Sequence, residues 1–149
     1  MYDAAFEKDN CGFGLMAQMD GEPSHWLVQT AVKSLARLTH RGAVAADGKT
    51  GDGCGLLMKR PTAFLRAVAA EQGIALGELF AAGVVFLHPQ PDRQPAGRAA
   101  VEQALAKQGL SAVGWRVVPI NPEACGAEAL KTMPAILHVF INAAAGPDE

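Results

Sequence analysis

The sequence predicts a mixed α+β fold built as a single domain, and three observations carry this prediction. Apolar runs of strand length alternate with segments of helical periodicity, half of the 149 residues are hydrophobic, and no internal repeat or long biased linker divides them. Such alternation is typical of helices packed on buried sheets. A chain of this length buries roughly two-thirds of its unfolded surface, which is enough for one core.

The first predicted element is a buried strand. Residues 11–19 are mostly apolar, and Asp20-Gly21 follows them as a turn signal. Cys11 would then occupy the first position of this strand.

A helix is expected after the turn. Ser24 is a residue type that often caps the N-terminus of a helix, and apolar residues then recur at helical spacing. This apolar stripe consists of Leu27, Ala31, Leu35 and Leu38. The helix should continue to about Thr39 or Arg41, because Gly42 is a natural terminator.

A glycine-rich surface loop should follow, from Asp47 to Gly53, with three glycines in seven residues. Its Gly-Lys-Thr sequence resembles the end of a phosphate-binding loop, but Ala43 stands where that motif requires its first glycine. Nucleotide binding is therefore not predicted here. The next segment, residues 54–58, is expected to form a short strand that Pro61 stops.

The remaining elements continue the alternation of helix and strand. Helices are predicted at 61–72, 96–108 and 124–132, and strands at 82–87, 113–120 and 135–141. The run 82–87 is apolar throughout, which is typical of a strand covered on both faces.

Composition excludes several function classes. The net charge is −2 and the lysines and arginines are scattered, so we expect no nucleic-acid partner. No apolar stretch approaches the ~18 residues of a membrane span, and the charged first ten residues do not resemble a secretory signal. Three widely spaced cysteines without a CxxC pair fit neither a disulfide framework nor a metal site. We therefore expect a cytoplasmic protein without a bound metal.

Cys11 is the strongest candidate for a catalytic residue. If the ten residues before it are removed, one residue carries both a thiol and a free α-amino group. The amine, with a pKa of about 7.7 to 8.0, can accept the thiol proton at neutral pH, so nucleophile and base reside on one residue. The alternative is a cysteine that is buried for packing, which is the usual role of this residue.

Arg41 and Gly42 are the next candidates. A cation at the C-terminal end of a helix interacts favourably with the helix dipole. This interaction alone is a sufficient reason for an arginine at position 41. The functional alternative is a guanidinium turned into the site to orient the end of the first strand. His40 is the first candidate for a Cys–His pair, whereas none of the four histidines shows metal-ligand spacing.

Taken together, three motifs resemble the start of the large subunit of bacterial NADPH-dependent glutamate synthases. They are residues 10–14 (NCGFG), 38–43 (LTHRGA) and 46–55 (ADGKTGDGCG). The resemblance continues more weakly through 113–119 and 140–142. It identifies the region as the beginning of a class II, N-terminal-nucleophile glutamine amidotransferase domain.

The resemblance implies a four-layer αββα sandwich, of which this chain forms a part. It implies that residues 1–10 are a propeptide cleaved between Asn10 and Cys11, and that residues 11–149 begin the amidotransferase domain. Cys11 would attack the side-chain amide of L-glutamine, with Arg41 and Gly42 close to it. The ammonia would pass to a distant site where 2-oxoglutarate is aminated and reduced.

One departure from the family pattern affects the expected activity. The family's oxyanion hole uses an Asn-Gly pair, and no such pair occurs in this chain. Losing one oxyanion donor costs about 10²- to 10³-fold in rate, so we expect a fragment that is inactive alone. The resemblance places FMN, iron–sulfur clusters and NADPH in the remainder of the large subunit and in a small NADPH-oxidising subunit, which are the expected partners.

Two other function classes remain open from the residues alone. An interaction or scaffold module would use Cys11 only for packing and would keep its first ten residues. A thiol redox domain would pair Cys11 with a resolving cysteine such as Cys54.

Overall fold

The computed structural model describes residues 12–38, 44–51 and 54–143. Within these ranges lie four α-helices and three strands. They are α1 (His25–Ala36), α2 (Thr62–Ala70), β1 (Phe80–Leu87), α3 (Gln94–Ala106), β2 (Leu110–Val117), α4 (Ala127–Lys131) and β3 (Ala135–Ala143). Short 3-10 turns occupy Pro91–Arg93 and Pro122–Ala124. The α+β class is confirmed.

The chain divides into two compact units. One comprises Met1–Met58 with Cys125–Ala129, and the other Lys59–Ala124 with Leu130–Glu149. Each unit is described by itself below.

In the first unit, the predicted strand at 11–19 is wrong for the residues that the structure describes. Residues 12–18 have no regular secondary structure, and Phe13 and Leu15 are 92% and 90% exposed. A strand needs a partner for its backbone polar groups, and no strand in the described ranges pairs with this segment. The turn is confirmed, because the Gly21 N–H donates to the Gln18 carbonyl at 3.2 Å and Gly21 has a φ of +75°.

Helix α1 begins as predicted. The Ser24 hydroxyl accepts a hydrogen bond from the Leu27 N–H at 3.4 Å, which satisfies one donor of the first turn. The four stripe residues are half-buried, whereas Trp26 and Val32 on other faces are exposed. The helix ends at Ala36, earlier than predicted, and Leu38 lies in the turn that follows it. The proposed terminator Gly42 lies outside the described residues.

The predicted strand at 54–58 is also wrong. These residues have no regular structure, and the Leu57 side chain is fully exposed. A run of five apolar residues forms a strand only when another strand pairs with it. That pairing cannot be seen in local composition.

The second unit is built on a three-stranded antiparallel sheet with the order β1-β3-β2. Strand β3 pairs with β1 from Phe80↔Asn142 to Leu87↔Ala135, and with β2 from Leu110↔Ala143 to Val117↔Leu137. Strands β1 and β2 are thus parallel to each other, joined through α3 and separated by β3. The register of β2 shifts between Ala112 and Gly114, and the strand begins three residues before its predicted start.

The two faces of the sheet are covered by different helices. Helix α2 packs on one face and forms the core, which consists of Leu65, Val68, Ala69, Phe80 and Phe140. Helix α3 lies on the other face, where the Trp115 indole N–H donates to Glu102 at 2.7 Å. The helices predicted at 61–72 and 124–132 are confirmed with shorter bounds, and the helix predicted at 96–108 is confirmed two residues earlier with the same length.

The prediction that residues 82–87 are covered on both faces is only partly correct. Leu87 is buried on the α3 side, but Val84 and Phe86 on the α2 side are more than half exposed. Helix α2 has nine residues and a length of roughly 13 Å, so it covers the Phe80 end of the strand and not the Phe86 end.

Replacing Phe140 by alanine should destabilise the protein strongly. Phe140 is completely buried between β1, β2 and α2, and truncation of such a phenylalanine costs about 3 to 5 kcal/mol. Phe86→Ala is the matched control, because Phe86 lies on the same face of the sheet but is 66% exposed. Urea denaturation of both variants should show a large loss only for Phe140→Ala. Equal losses would contradict the position assigned to the core.

Candidate functional site

The residues that the sequence singled out for catalysis lie outside the described ranges. This applies to Cys11, Asn10, His40, Arg41 and Gly42. Their roles therefore stay predictions. The structure does describe the loop between Arg41-Gly42 and Cys54, apart from Ala43, Asp52 and Gly53.

This loop, residues 44–51, is closed at its base. Val44 and Gly51 form an antiparallel bridge, and the Ala45 N–H donates to the Thr50 carbonyl at 2.7 Å. A tight turn at the tip is possible because Gly48 adopts a φ of +69°, a region that residues with a Cβ rarely occupy. The glycine-rich sequence thus forms a defined surface turn, as predicted.

The carboxylate of Asp47 holds the loop in shape. Its Oδ1 accepts from the backbone N–H groups of Lys49 at 3.0 Å and Thr50 at 2.8 Å. Its Oδ2 accepts from the Thr50 hydroxyl at 2.6 Å and from the Glu128 N–H at 3.1 Å. The last bond joins residues that are 81 positions apart, within the same compact unit.

Asp47 and Thr50 together cap helix α4. The residue before this helix is Gly126, which has no side chain to accept from the first N–H groups. Asp47 accepts from the Glu128 N–H, and the Thr50 hydroxyl accepts from the Ala129 N–H at 3.3 Å. These are the N2 and N3 donors that a capping Ser or Asp normally satisfies. The cap is therefore supplied by a distant loop.

Gly126 is required for this contact. It is buried, and a Cβ placed on it would lie 2.5 Å from both Asp47 Oδ2 and the Thr50 backbone nitrogen. Sequence reasoning missed Asp47, Thr50 and Gly126 as a group. The available signal was a glycine at the position before a helix where Ser, Thr, Asp or Asn is preferred. We refer to Asp47, Thr50 and Gly126 as the loop clasp.

The environment of Asp47 favours its ionised form. The bond from the Thr50 hydroxyl, and then the backbone N–H bonds from Thr50, Lys49 and Glu128, hold the pKa of Asp47 well below its usual range. Because the folded-state pKa is lowered, the contribution of these bonds to stability is present above the ordinary carboxyl pKa of about 4 and is lost as pH falls through the lowered value. The clasp is thus fully charged at neutral pH.

Each of the three described histidines has different surroundings. His25 is exposed on α1, where its Nε2 lies 3.0 Å from the Gln29 amide nitrogen. His88 Nδ1 accepts from the Gln90 N–H at 3.1 Å, and Arg93 Nη1 lies 3.4 Å from its Nε2. His138 lies in the central strand, where burial and then the charge of Arg116 lower its pKa.

The cysteines and the metal-ligating residues can be placed as well. Cys54 is exposed, Cys125 is half-buried, and neither forms a disulfide. Within residues 12–38, 44–51 and 54–143, no group of three or more His, Cys, Asp or Glu side chains is arranged to hold a metal ion. Among the helices in those ranges, none has the length and apolar character needed to cross a bilayer.

Comparison with known proteins identifies the chain's relatives. The family model of the class II glutamine amidotransferases matches residues 11–149. The chain is 35% identical over 143 residues to the glutamate synthase [NADPH] large chain of Bacillus subtilis (strain 168) and 34% identical over 148 residues to that of Azospirillum brasilense. It is 38% identical over 145 residues to ferredoxin-dependent glutamate synthase 1 of Arabidopsis thaliana.

These alignments cover nearly all of this chain and little of each relative. They include 96%, 95% and 95% of the chain, but 9% of each of the three relatives. The similarity therefore concerns one small region of much longer proteins.

The two described cysteines should differ in their reaction with a small neutral thiol reagent. Cys54 is exposed, whereas Cys125 precedes the buried Gly126 and is half-buried, so we expect Cys54 to be labelled faster. Peptide mass spectrometry after brief iodoacetamide treatment measures both rates in one sample. Faster labelling of Cys125 would contradict the burial seen beside the clasp.

Proposed function

Because the chain belongs to the class II glutamine amidotransferase family, we propose that it forms part of the glutamine-hydrolysing domain of a glutamate synthase. The observation that carries this proposal is the family match, which begins at Cys11 and leaves out the ten residues before it. The same boundary supports residues 1–10 as a propeptide. Glutamine is then the substrate.

The proposed chemistry starts once Cys11 is the first residue. Its α-amino group accepts the thiol proton, and the thiolate attacks the side-chain carbonyl carbon of glutamine. The C–N bond breaks as the amino group returns the proton to the departing nitrogen, which leaves as ammonia. Water then attacks the thioester, which releases glutamate and restores the thiol. Arg41 and Gly42 follow helix α1 in the sequence, and we propose that they support this site.

The described sheet is proposed to be part of a four-layer αββα sandwich. Helix α3 lies on one face of the sheet, as an outer layer of such a sandwich would, whereas α2 covers only the Phe80 end of the other face. Val84 and Phe86 extend as an exposed apolar surface beyond the end of α2, which supports a further layer on that side.

Ammonia is proposed to travel to a second site of the full enzyme, where 2-oxoglutarate is aminated and reduced. An iron–sulfur cluster of that step does not fit the cysteines of this chain. A cluster is commonly held by four thiolates, whereas this chain has three widely spaced cysteines without a CxxC pair. We therefore assign the clusters to other parts of the large subunit, and we propose the FMN site there as well.

NADPH oxidation is likewise proposed for a small subunit. Relatives named for NADPH, ferredoxin and NADH are 35%, 38% and 38% identical to this chain. Identity in this region does not follow the electron donor, which supports a donor site outside this chain.

The 149 residues are proposed to lack glutaminase activity by themselves. They contain no Asn-Gly pair to stabilise the oxyanion of the thioester-forming step. Without such donors, the attack of a nucleophile on an amide is far slower.

The decisive experiment examines the N-terminus of the natural full-length protein. We expect its mature first residue to be Cys11, and a diazoketone analogue of glutamine to add its mass at Cys11. Cys11→Ala should abolish glutamine-dependent activity while ammonia-dependent activity remains, because only the release of ammonia from glutamine needs the thiol. Intact-mass spectrometry identifies the mature first residue, and peptide mass spectrometry identifies the labelled cysteine.

Cys54→Ala is the matched control, because Cys54 is exposed and is given no role in the reaction. It should retain both activities. Labelling at Cys54 or Cys125 by the analogue, or full glutamine-dependent activity after Cys11→Ala, would favour an interaction module in which Cys11 only packs.

A further inference from the structure

The α2 side of the sheet consists of rows of side chains that run across the strands. Residues paired in register lie on the same face, so the pairing defines each row. The rows that contain Phe80 and Phe140 belong to the core under α2, and the Ile74 side chain packs against that core. Two further rows follow toward the Leu87 end of β1: Val84, His138 and Arg116, then Phe86 and Ile136. We refer to these five residues as the open rows.

The open rows present apolar side chains that the described structure leaves in contact with water. Val84 and Phe86 lie two positions apart on β1, and both are more than half exposed. Ile136, which pairs with Phe86 on the central strand, is half-buried. Of the residues that the structure describes, the core under α2 includes none of these three. Adjoining exposed apolar side chains are typical of an interaction surface.

Arg116 places one positive charge at the end of these rows. It is half-buried, and the described part of the chain provides its guanidinium with neither a hydrogen bond nor an ion pair. Burial, and then the charge of Arg116, lower the pKa of the neighbouring His138, so that imidazole is neutral at neutral pH. The His138 Nδ1 is buried without a hydrogen-bond partner among the described residues. The open rows therefore combine apolar side chains with a single unpaired cation.

This combination defines the chemistry of a segment that would cover the surface. Apolar side chains laid over Val84 and Phe86 would also remove the half-buried Arg116 from water. Taking a charge out of water is costly unless an opposite charge pairs with it. The planar guanidinium matches a carboxylate, which can accept two parallel hydrogen bonds from it. A covering segment should therefore be apolar and carry an Asp or Glu side chain opposite Arg116.

We propose that the open rows are the docking surface for a segment of the large subunit outside residues 1–149, and that this segment pairs an Asp or Glu side chain with Arg116. The proposal rests on the proposed function, in which the chain is part of a longer enzyme.

The length of the relatives supports an occupant from the same polypeptide. This chain matches 9% of each of three relatives, so most of such a large subunit lies outside this region. A segment of the same polypeptide also docks at a high effective concentration. A second copy of the open rows would instead bring another arginine and no carboxylate to the interface.

The first test identifies the carboxylate in the natural full-length protein. Arg116→Lys keeps the positive charge and introduces an amine that a carbodiimide can join to a contacting carboxylate. We expect a cross-linked peptide that contains position 116 and an Asp or Glu beyond residues 1–149, with the mobility of a single large subunit retained on a denaturing gel. Arg98→Lys is the matched control, because Arg98 is half-buried over the Trp115 ring on the α3 side of the same sheet. It should yield no cross-link to that segment.

The second test measures whether the surface is covered. The thiol introduced by Val84→Cys should react with iodoacetamide about 100-fold more slowly in the native full-length protein than in urea, because reaction requires the docked segment to open. Val117→Cys is the control, since Val117 is exposed and pairs with Leu137 on the α3 side. Adding Arg116→Gln to Val84→Cys should raise the native rate about 10-fold, because the carboxylate of the segment then lacks its partner.

Three results would overturn the proposal. They are a level of cross-linking in Arg116→Lys no higher than in the wild type, a cross-link to residues 1–149 or to a separate polypeptide, and equal native reactivity of Val84→Cys and Val117→Cys. If Arg116→Lys does not fold, the comparison of the two introduced thiols decides.

Labelling of wild-type Cys11 by the diazoketone analogue is measured in the same preparation. Its absence refutes the proposed function, whereas labelled Cys11 without the cross-link refutes the docking surface alone.

Discussion

The central position of β3 is the constraint on which the second unit depends. Both β1 and β2 form their backbone hydrogen bonds with this strand, so neither sheet edge exists without it. Its side chains serve both faces: Phe140 enters the core under α2, while Leu137 and Val139 lie on the face that α3 covers. Because β3 follows β1 and β2 in the sequence, these three strands cannot form their sheet until the chain has passed through β1, α3 and β2.

The first unit depends on a different kind of interaction. Its described residues contribute no large buried side chain, and its long-range order comes from a charged hydrogen-bond group around Asp47. Hydrogen bonds to an ionised group are stronger than neutral ones, and here they also satisfy helix donors that Gly126 leaves without a cap. A polar contact of this kind specifies one relative position of two segments, whereas an apolar contact tolerates sliding.

The Ser24 cap and the Gly21 turn were predicted correctly because each depends on residues within a few positions. The strands at 82–87 and 135–141 were also predicted correctly, and they pair with each other. The strands expected at 11–19 and 54–58 failed because a strand needs a partner, and local composition does not show one. The clasp was missed for the same reason, since Asp47 and Glu128 are 81 positions apart. Of the candidate site, the sequence motifs predicted the family, which the family match confirms.

The glycine-rich motif also shows how one composition supports two interpretations. Its Gly-Lys-Thr sequence resembles the end of a phosphate-binding loop, in which backbone N–H groups turn toward an anion, although Ala43 stands where that motif requires its first glycine. In the structure, the Lys49 and Thr50 N–H groups do turn toward an anion, but it is the carboxylate of Asp47 within the same loop. The donors are thus already satisfied, and an external phosphate would have to compete with an internal carboxylate held at 2.6 to 3.1 Å. Asp47, which occupies these N–H donors, is therefore also the residue that anchors the loop to α4.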